Sequence, residues 1–255
     1  MQKLKPIYVE ATTIEDAWFQ LLYKLLEVGF TYEIQHGSYV GDQRLEFDFV
    51  TVYIKYPQKR PLEPKIPIQY SIPDPVEPGY IESYIPYLMT PTKEPGEAYT
   101  YGERLSGYQW YSGGKPVECT VTQIQHWIAV LRATPNTNQA VLQVAQPQDC
   151  LLGDPPCLRH IDMRVKNGQL IFYPYFRSWD LWGGFPANLG GIVYLQEYMA
   201  LEIGVEPGPF VCSSKGLHLY SYVWELAEIL RGHTLKQFRA GLGSHPYKRF
   251  RGMWE

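Results

Sequence analysis

Residues 159–175 constrain the fold more than any other stretch of this chain. "RHIDMRV" and "QLIFYPY" place Ile161, Met163, Val165, Leu170 and Phe172 at alternate positions, the period of a strand with one buried face. Lys166-Asn167-Gly168 stands between them. Asn and Gly accept the positive φ of a tight hairpin turn, so the segment reads as a β-hairpin. A lone hairpin is marginal in water, so the rest of the chain has to cover it.

Helical periodicity supplies the cover. Over 12–29, Thr12 and Glu15 have capping-box spacing, Trp18, Leu21, Leu22 and Leu25 form a stripe, and Gly29 is a stop. Over 120–133, Thr120 and Gln123 repeat the capping pattern ahead of Ile124, Trp127, Ile128 and Leu131. Two more helices are expected over about 189–203 and 219–231. "FDFVTVYIKY" (47–56), "AVLQVA" (140–145) and "GPFVCSS" read as further strands. Prolines interrupt residues 57–96, where "YIESYIPYLM" has room for a helical turn or two. Tyr, Ile and Leu stay frequent there, which marks an ordered excursion rather than a linker. The expectation is one mixed α/β domain over 1–255 with a Pro-rich excursion at about 57–96.

Charge and cysteine usage exclude several classes. A net charge of −3 with 19% charged residues offers no basic stripe for nucleic acid. No apolar run reaches membrane length, and "MQKLKPIYVE" lacks a signal-peptide core, so a cytoplasmic location is expected. Cys119, Cys150, Cys157 and Cys212 form no C-x-x-C pair, and the six histidines form no ligand cluster. Free thiols and no metal are expected.

Three stretches carry candidate chemistry. "DPPCLRHIDMRV" puts Cys157 at the mouth of the first hairpin strand. A nucleophilic thiolate needs a nearby cation, and Arg177 lies at the hairpin's other end, within reach of Cys157. "YFRSWDLWGGFPANLGG" gathers Arg177, Ser178, Asp180 and Asn188 among aromatic residues and glycines, a loop suited to a polar, planar ligand. "GLHLYSYV" places His218 and Tyr220 on one side of an extended segment.

In order and spacing, "YTYGERL", "PPC", "RSWDLWGGFPANL" and "HLYS" resemble the thymidylate synthase family, across nearly half of the chain from about Tyr101 to Tyr220. The resemblance implies an α/β fold with a mixed twisted β-sheet, packed helices, and a sheet face that meets a homodimer mate. It implies that Cys157 adds to C6 of a pyrimidine nucleotide. Asn188 would pair with N3 and O4 and select uracil. Tyr101 would help remove the C5 proton through ordered water. Arg177 and Ser178 would hold the phosphate, with Arg177 keeping the thiolate charged. His218 and Tyr220 would hold the sugar 3′-hydroxyl. Asp180, Gly183 and Gly184 would meet the cofactor, a 5,10-methylenetetrahydrofolate or related reduced pterin.

Departures accompany the resemblance. Where the family carries an arginine pair for the partner subunit's phosphate, this chain has Asn138 and Gln139, and Arg44, Arg60 and Arg132 are the candidate replacements. No E-L-x-W-F-L helix is present, and Glu82 is the candidate for the family's catalytic glutamate. The Pro-rich front is similar to archaeal-type synthases and phage nucleotide hydroxymethylases. The end, "KRFRGMWE", replaces the apolar tail that closes over the cofactor, with Trp254 and Glu255 as candidates for that task. Water exclusion decides between a methyl and a hydroxymethyl product. The expected activity is C5 methylation of dUMP, the alternatives being a pyrimidine nucleotide hydroxymethylase and a catalytically silent nucleotide binder.

Overall fold

The computed structural model describes residues 4–37, 39–107, 110–112, 115–117 and 122–231. Cys119, Thr120, Trp254 and Glu255 lie outside the described residues. The strands are β1 (Pro6–Ala11), β2 (Phe30–Glu33), β3 (Gln43–Glu46), β4 (Phe49–Ile54), β5 (Trp110–Ser112), β6 (Lys115–Val117), β7 (Val141–Gln143), β8 (Leu158–Lys166), β9 (Gln169–Phe176), β10 (Trp179–Asp180), β11 (Glu206–Ser214) and β12 (Leu217–Tyr220). The helices are α1 (Ile14–Val28), α2 (Tyr80–Met89), α3 (Tyr101–Ser106), α4 (Gln123–Ala133), α5 (Gly184–Ile203) and α6 (Trp224–Leu230). This is the mixed α/β architecture expected.

A six-stranded sheet runs in the order β1-β4-β11-β9-β8-β7. The β1/β4 and β9/β11 pairs are parallel, and β4/β11, β8/β9 and β7/β8 are antiparallel. The β8–β9 hairpin turns on Asn167 and Gly168 at φ of 53° and 74°, as their sequence demands. A second sheet, β10-β12-β3-β2, sets Asp180 beside His218. The hairpin formed by β2 and β3 and the strand β1 escaped the sequence reading, because short edge strands carry little period.

Helix α5 lies at the centre of the packing, with twelve of its twenty residues buried, and touches α1, α2, α4 and the main sheet. One hydrophobic cluster runs from Val9 to Leu230 and takes in Leu62, Ile66, Ile72 and Val76 from the Pro-rich excursion. The opposite face of the main sheet stays open around Phe49, Thr51, His160, Asp162, Tyr173 and Tyr175. Among the described residues no helix is long and apolar enough to cross a membrane.

Several boundaries differ from expectation. Thr13, not Thr12, caps α1, accepting from Asp16 N at 3.1 Å, while Asp16 Oδ2 accepts from Thr12 N at 2.7 Å. Gly29 ends α1 at φ −65°, so its role is space: a Cβ there would stand 2.5 Å from Leu25 O and 2.9 Å from Leu45 Cγ. Thr122 caps α4. The segment 219–223 is the end of β12 and a 3₁₀ turn, and helix starts only at Trp224.

The largest correction concerns 184–188, read as loop and observed as the start of α5. Asp180 accepts from the backbone N–H of Trp182, Gly183 and Gly184 at 3.2, 3.0 and 2.9 Å, satisfying donors that a helix start leaves open. Pro186 is tolerated because first-turn N–H groups need no intrahelical partner. Asn188 therefore sits inside the helix and not at its cap.

Candidate active site

Cys157 occupies the open end of the hairpin, just before β8. Arg177 N donates to Cys157 O at 2.9 Å, so the strand pairing itself brings the two residues together. The Arg177 guanidinium clamps the turn ahead of the cysteine. Its Nε donates to Pro155 O and Pro156 O at 3.2 Å each, and its Nη2 pairs with Asp154 at 2.8 Å. Burial pushes the Cys157 thiol up from its ordinary value, the Arg177 charge pulls it down and Asp154 opposes that pull. Burial prevails, so proximity to Arg177 does not by itself hold a thiolate.

Cys157 lines a cavity of about 340 Å³ with Arg177, Ser178, Asp154, Arg44 and Tyr220. Arg44 comes from β3, where its Nε forms an ion pair with Glu46 at 2.6 Å and its guanidinium lies 4.7 Å above the Tyr32 ring. Burial pushes the Tyr220 hydroxyl up to about 12, with Asp180 adding to the shift, so it enters the cavity as a neutral group.

His218 is almost fully buried, its ring 4.7 Å from that of Tyr220, which lines this cavity. Its Nδ1 meets Gly216 O at 2.8 Å, and a carbonyl can only accept, so Nδ1 carries the proton and Nε2 presents a lone pair. Nε2 is buried and has no partner. Burial holds the imidazole below its ordinary value, which keeps it neutral. An orphan acceptor of this kind fits a ligand hydroxyl.

Asn188 projects from the first turns of α5. Trp179 Nε1 donates to its Oδ1 at 3.1 Å, and its Nδ2 donates to Tyr84 Oη at 3.3 Å. Three of the four lone-pair positions of Asp180 serve the start of α5, which leaves one for anything else. Gly183 and Gly184 are closed in by Pro75 O and Asp180 Cβ, at 3.2 and 3.3 Å from an added Cβ.

A second cavity, of about 370 Å³, is lined by Tyr80, Ser83, Tyr84, Tyr87, Tyr99 and Tyr101. Tyr84 and Tyr87 stack at 5.4 Å, and Tyr99 and Tyr101 at 6.4 Å. Tyr101 Oη accepts from Leu158 N at 3.2 Å, directly beside the cysteine. Burial, with the nearby Cys157 charge, raises the Tyr99 and Tyr101 hydroxyls well above the usual phenol range. Cys157 thus stands between an arginine-lined cavity and a tyrosine-lined one. The i, i+4, i+7 spacing of Tyr80, Tyr84 and Tyr87 was the available sequence signal for the second. Among the described residues no three His, Cys, Asp or Glu gather to hold a metal ion, and Cys150, Cys157 and Cys212 are free thiols.

The family model described as thymidylate synthase matches residues 96–238, more than half of the chain. The chain belongs to the thymidylate synthase family. It is 29% identical over 230 residues to a Methanosarcina barkeri protein named "Putative thymidylate synthase", covering 88% of this chain and 94% of that one. A protein of the same name from Methanothermobacter thermautotrophicus is 25% identical over 232 residues, covering 86% of this chain and 96% of that one. The thymidylate synthase of Listeria monocytogenes is 29% identical over 124 residues, which is 48% of this chain and 40% of that protein.

Within this thymidylate synthase family member, the residues named for the two departures fall in different places. Glu82 lies on α2, accepts from Tyr194 Oη at 3.2 Å and lines neither cavity, and Tyr84 is the α2 residue that meets Asn188. Asn138 and Gln139 are exposed between α4 and β7. Arg60 is engaged by Glu197 at 2.5 and 2.8 Å, and Arg132 by Glu202 at 3.1 Å. Of the three candidate arginines, Arg44 lines the Cys157 cavity.

Proposed function

We propose that this one-carbon transferase acts on a uracil nucleotide, dUMP, and methylates C5. The observation that carries the reading is the single cavity shared by Cys157, Arg177, Ser178, Arg44 and Tyr220. A thiolate there forms a bond to C6, and the C5–C6 electron pair moves toward C5 and O4. The two arginines suit a phosphate monoester, each charge-assisted hydrogen bond contributing about 1.5–3 kcal/mol. The orphan Nε2 of His218 and the neutral Tyr220 hydroxyl suit a sugar hydroxyl. Asn188 keeps one N–H and one lone pair to meet a pyrimidine edge.

The tyrosine-lined cavity fits a planar ring system by stacking, so Tyr80, Tyr84, Tyr87 and Tyr99 are the residues that would hold a reduced pterin. When bound, that group supplies the one-carbon unit and, for a methyl product, the hydride. Tyr101, held on the backbone beside Cys157 and neutral, serves as a hydrogen-bond relay for the C5 proton through water. Asp180 serves chiefly to start α5, which positions Asn188. The open face of the main sheet is where a second copy of this chain would pack, its half-buried Phe49, Tyr173 and Tyr175 supplying aromatic contact area.

Incubation with dUMP, dCMP, UMP or CMP and methylenetetrahydrofolate, followed by mass spectrometry, tests the reading. A methylated uracil nucleotide that disappears in Cys157→Ala supports it. A hydroxymethylated product replaces methylation with the wetter outcome, and no product from any of the four overturns it.

A further inference from the structure

An asparagine can read either pyrimidine. Uracil presents an acceptor at O4 and a donor at N3, and cytosine presents a donor at N4 and an acceptor at N3. A side-chain amide meets the first edge in one orientation and the second after a 180° flip. Asn188 discriminates only if something forbids the flip.

In this fold the forbidding group is an indole. Trp179 Nε1 lies 3.1 Å from Asn188 Oδ1. An indole N–H donates and never accepts, so it fixes which end of the amide is oxygen. The other contact is permissive. Tyr84 Oη accepts from Nδ2 at 3.3 Å, but a hydroxyl also donates and would serve a flipped amide equally well. Trp179 has no freedom to turn away. It is 2% exposed, stacks on Phe176 at 4.0 Å and packs on Phe185 at 4.6 Å, and its backbone N–H donates to Gly216 O at 2.9 Å. A flip would set two N–H donors face to face where the indole has no room for water.

We propose that Trp179 is a positioning residue that sets the pyrimidine preference of the site by locking the amide of Asn188. The proposal rests on the reading of Asn188 as the base-contacting residue. One buried unsatisfied donor corresponds to about a 10- to 100-fold preference.

Calorimetric dissociation constants for dUMP and dCMP on the full chain test it. The wild type is expected to prefer dUMP. In Trp179→Phe, which keeps an aromatic ring but lacks the donor, the ratio of the two constants should fall by about 10-fold or more. Tyr84→Phe should keep the wild-type ratio. A purely structural role for Trp179 would weaken both nucleotides together and leave the ratio unchanged, and that result overturns the proposal, as does a ratio lost in Tyr84→Phe. Should Trp179→Phe fail to fold, nitrogen-15 spectra of the wild type decide instead. The Trp179 indole N–H should exchange slowly and shift in Asn188→Ala, and a fast-exchanging, unshifted signal overturns the lock. A wild type that prefers dCMP, with the preference lost in Trp179→Phe, refutes the uracil reading but supports the lock. Binding of neither nucleotide overturns both.

Discussion

Replacing Asp149 by asparagine isolates the buried ion pair that shapes the approach to Cys157. Arg104 on α3 is 6% exposed and Asp149 is 1% exposed. Arg104 Nη2 and Nη1 reach the two carboxylate oxygens at 2.8 and 3.3 Å, and Nη1 also donates to Val144 O at 2.9 Å. Asp149 Oδ2 accepts from Gln146 N at 2.8 Å. The pair fastens the 144–152 segment, whose continuation carries Asp154, Pro155 and Pro156 into the site. Asp149→Asn keeps the shape but leaves a guanidinium charge buried without its counter-charge, a loss of about 3–5 kcal/mol. For a chain of this size that is a melting-temperature drop of about 6–20 °C. Urea unfolding followed by tryptophan fluorescence should show a lower midpoint at unchanged slope. Arg104→Met with Asp149→Leu removes both charges and should recover most of the loss, since a buried pair replaced by apolar groups is often near neutral. A loss under about 1 kcal/mol in Asp149→Asn, or a double variant weaker than the single one, would refute the reasoning.

Three further outcomes follow from the site. Arg44→Gln should weaken dUMP binding about 10- to 100-fold and leave deoxyuridine binding unchanged, because the contact proposed for the guanidinium is to the phosphate alone; equal effects on both ligands would remove Arg44 from phosphate recognition. Asp154→Asn should lower the Cys157 constant by removing a charge that raises it, so the alkaline rise of kcat/KM moves to lower pH; an unmoved profile would separate Asp154 from the thiol. His218 has its folded value below the unfolded 6.5, so the unfolded chain takes up the proton first. Its stabilising contribution is complete above about pH 6.5 and declines as pH falls toward the lower folded value. His218→Gln should flatten that part of the stability curve, as chemical denaturation between pH 7 and 5 would show.

In the candidate site, the meeting of Cys157 and Arg177 was legible because one strong hairpin joins their segments. The hairpin turn alone brings Arg177 to Cys157. The state of the thiol was not legible, since burial and Asp154 outweigh the arginine that the spacing suggested. The start of α5 was missed because "WGGFPAN" looks like a loop to any local rule. A carboxylate two to four residues upstream and a buried Phe185 turn it into helix. Glu82 and Tyr84 are two residues apart on one helix, and residue chemistry favoured the carboxylate. Helix geometry sends them to different neighbours, Tyr194 and Asn188.

The sequence by itself determined what depends on neighbours along the chain: the β8–β9 turn, the apolar faces of α1 and α4, and the order of the motifs that mark the family. Only the tertiary structure decided which side chains from distant segments share a cavity. It selected Arg44 over Arg60 and Arg132 for the Cys157 cavity, gathered five tyrosines from α2, the segment leading into α3 and the start of α3, and set an indole donor against the amide of Asn188. The physical reason is directionality. Periodicity and turn chemistry act over a few residues, whereas a hydrogen bond or an ion pair depends on ångström-scale placement that packing alone supplies.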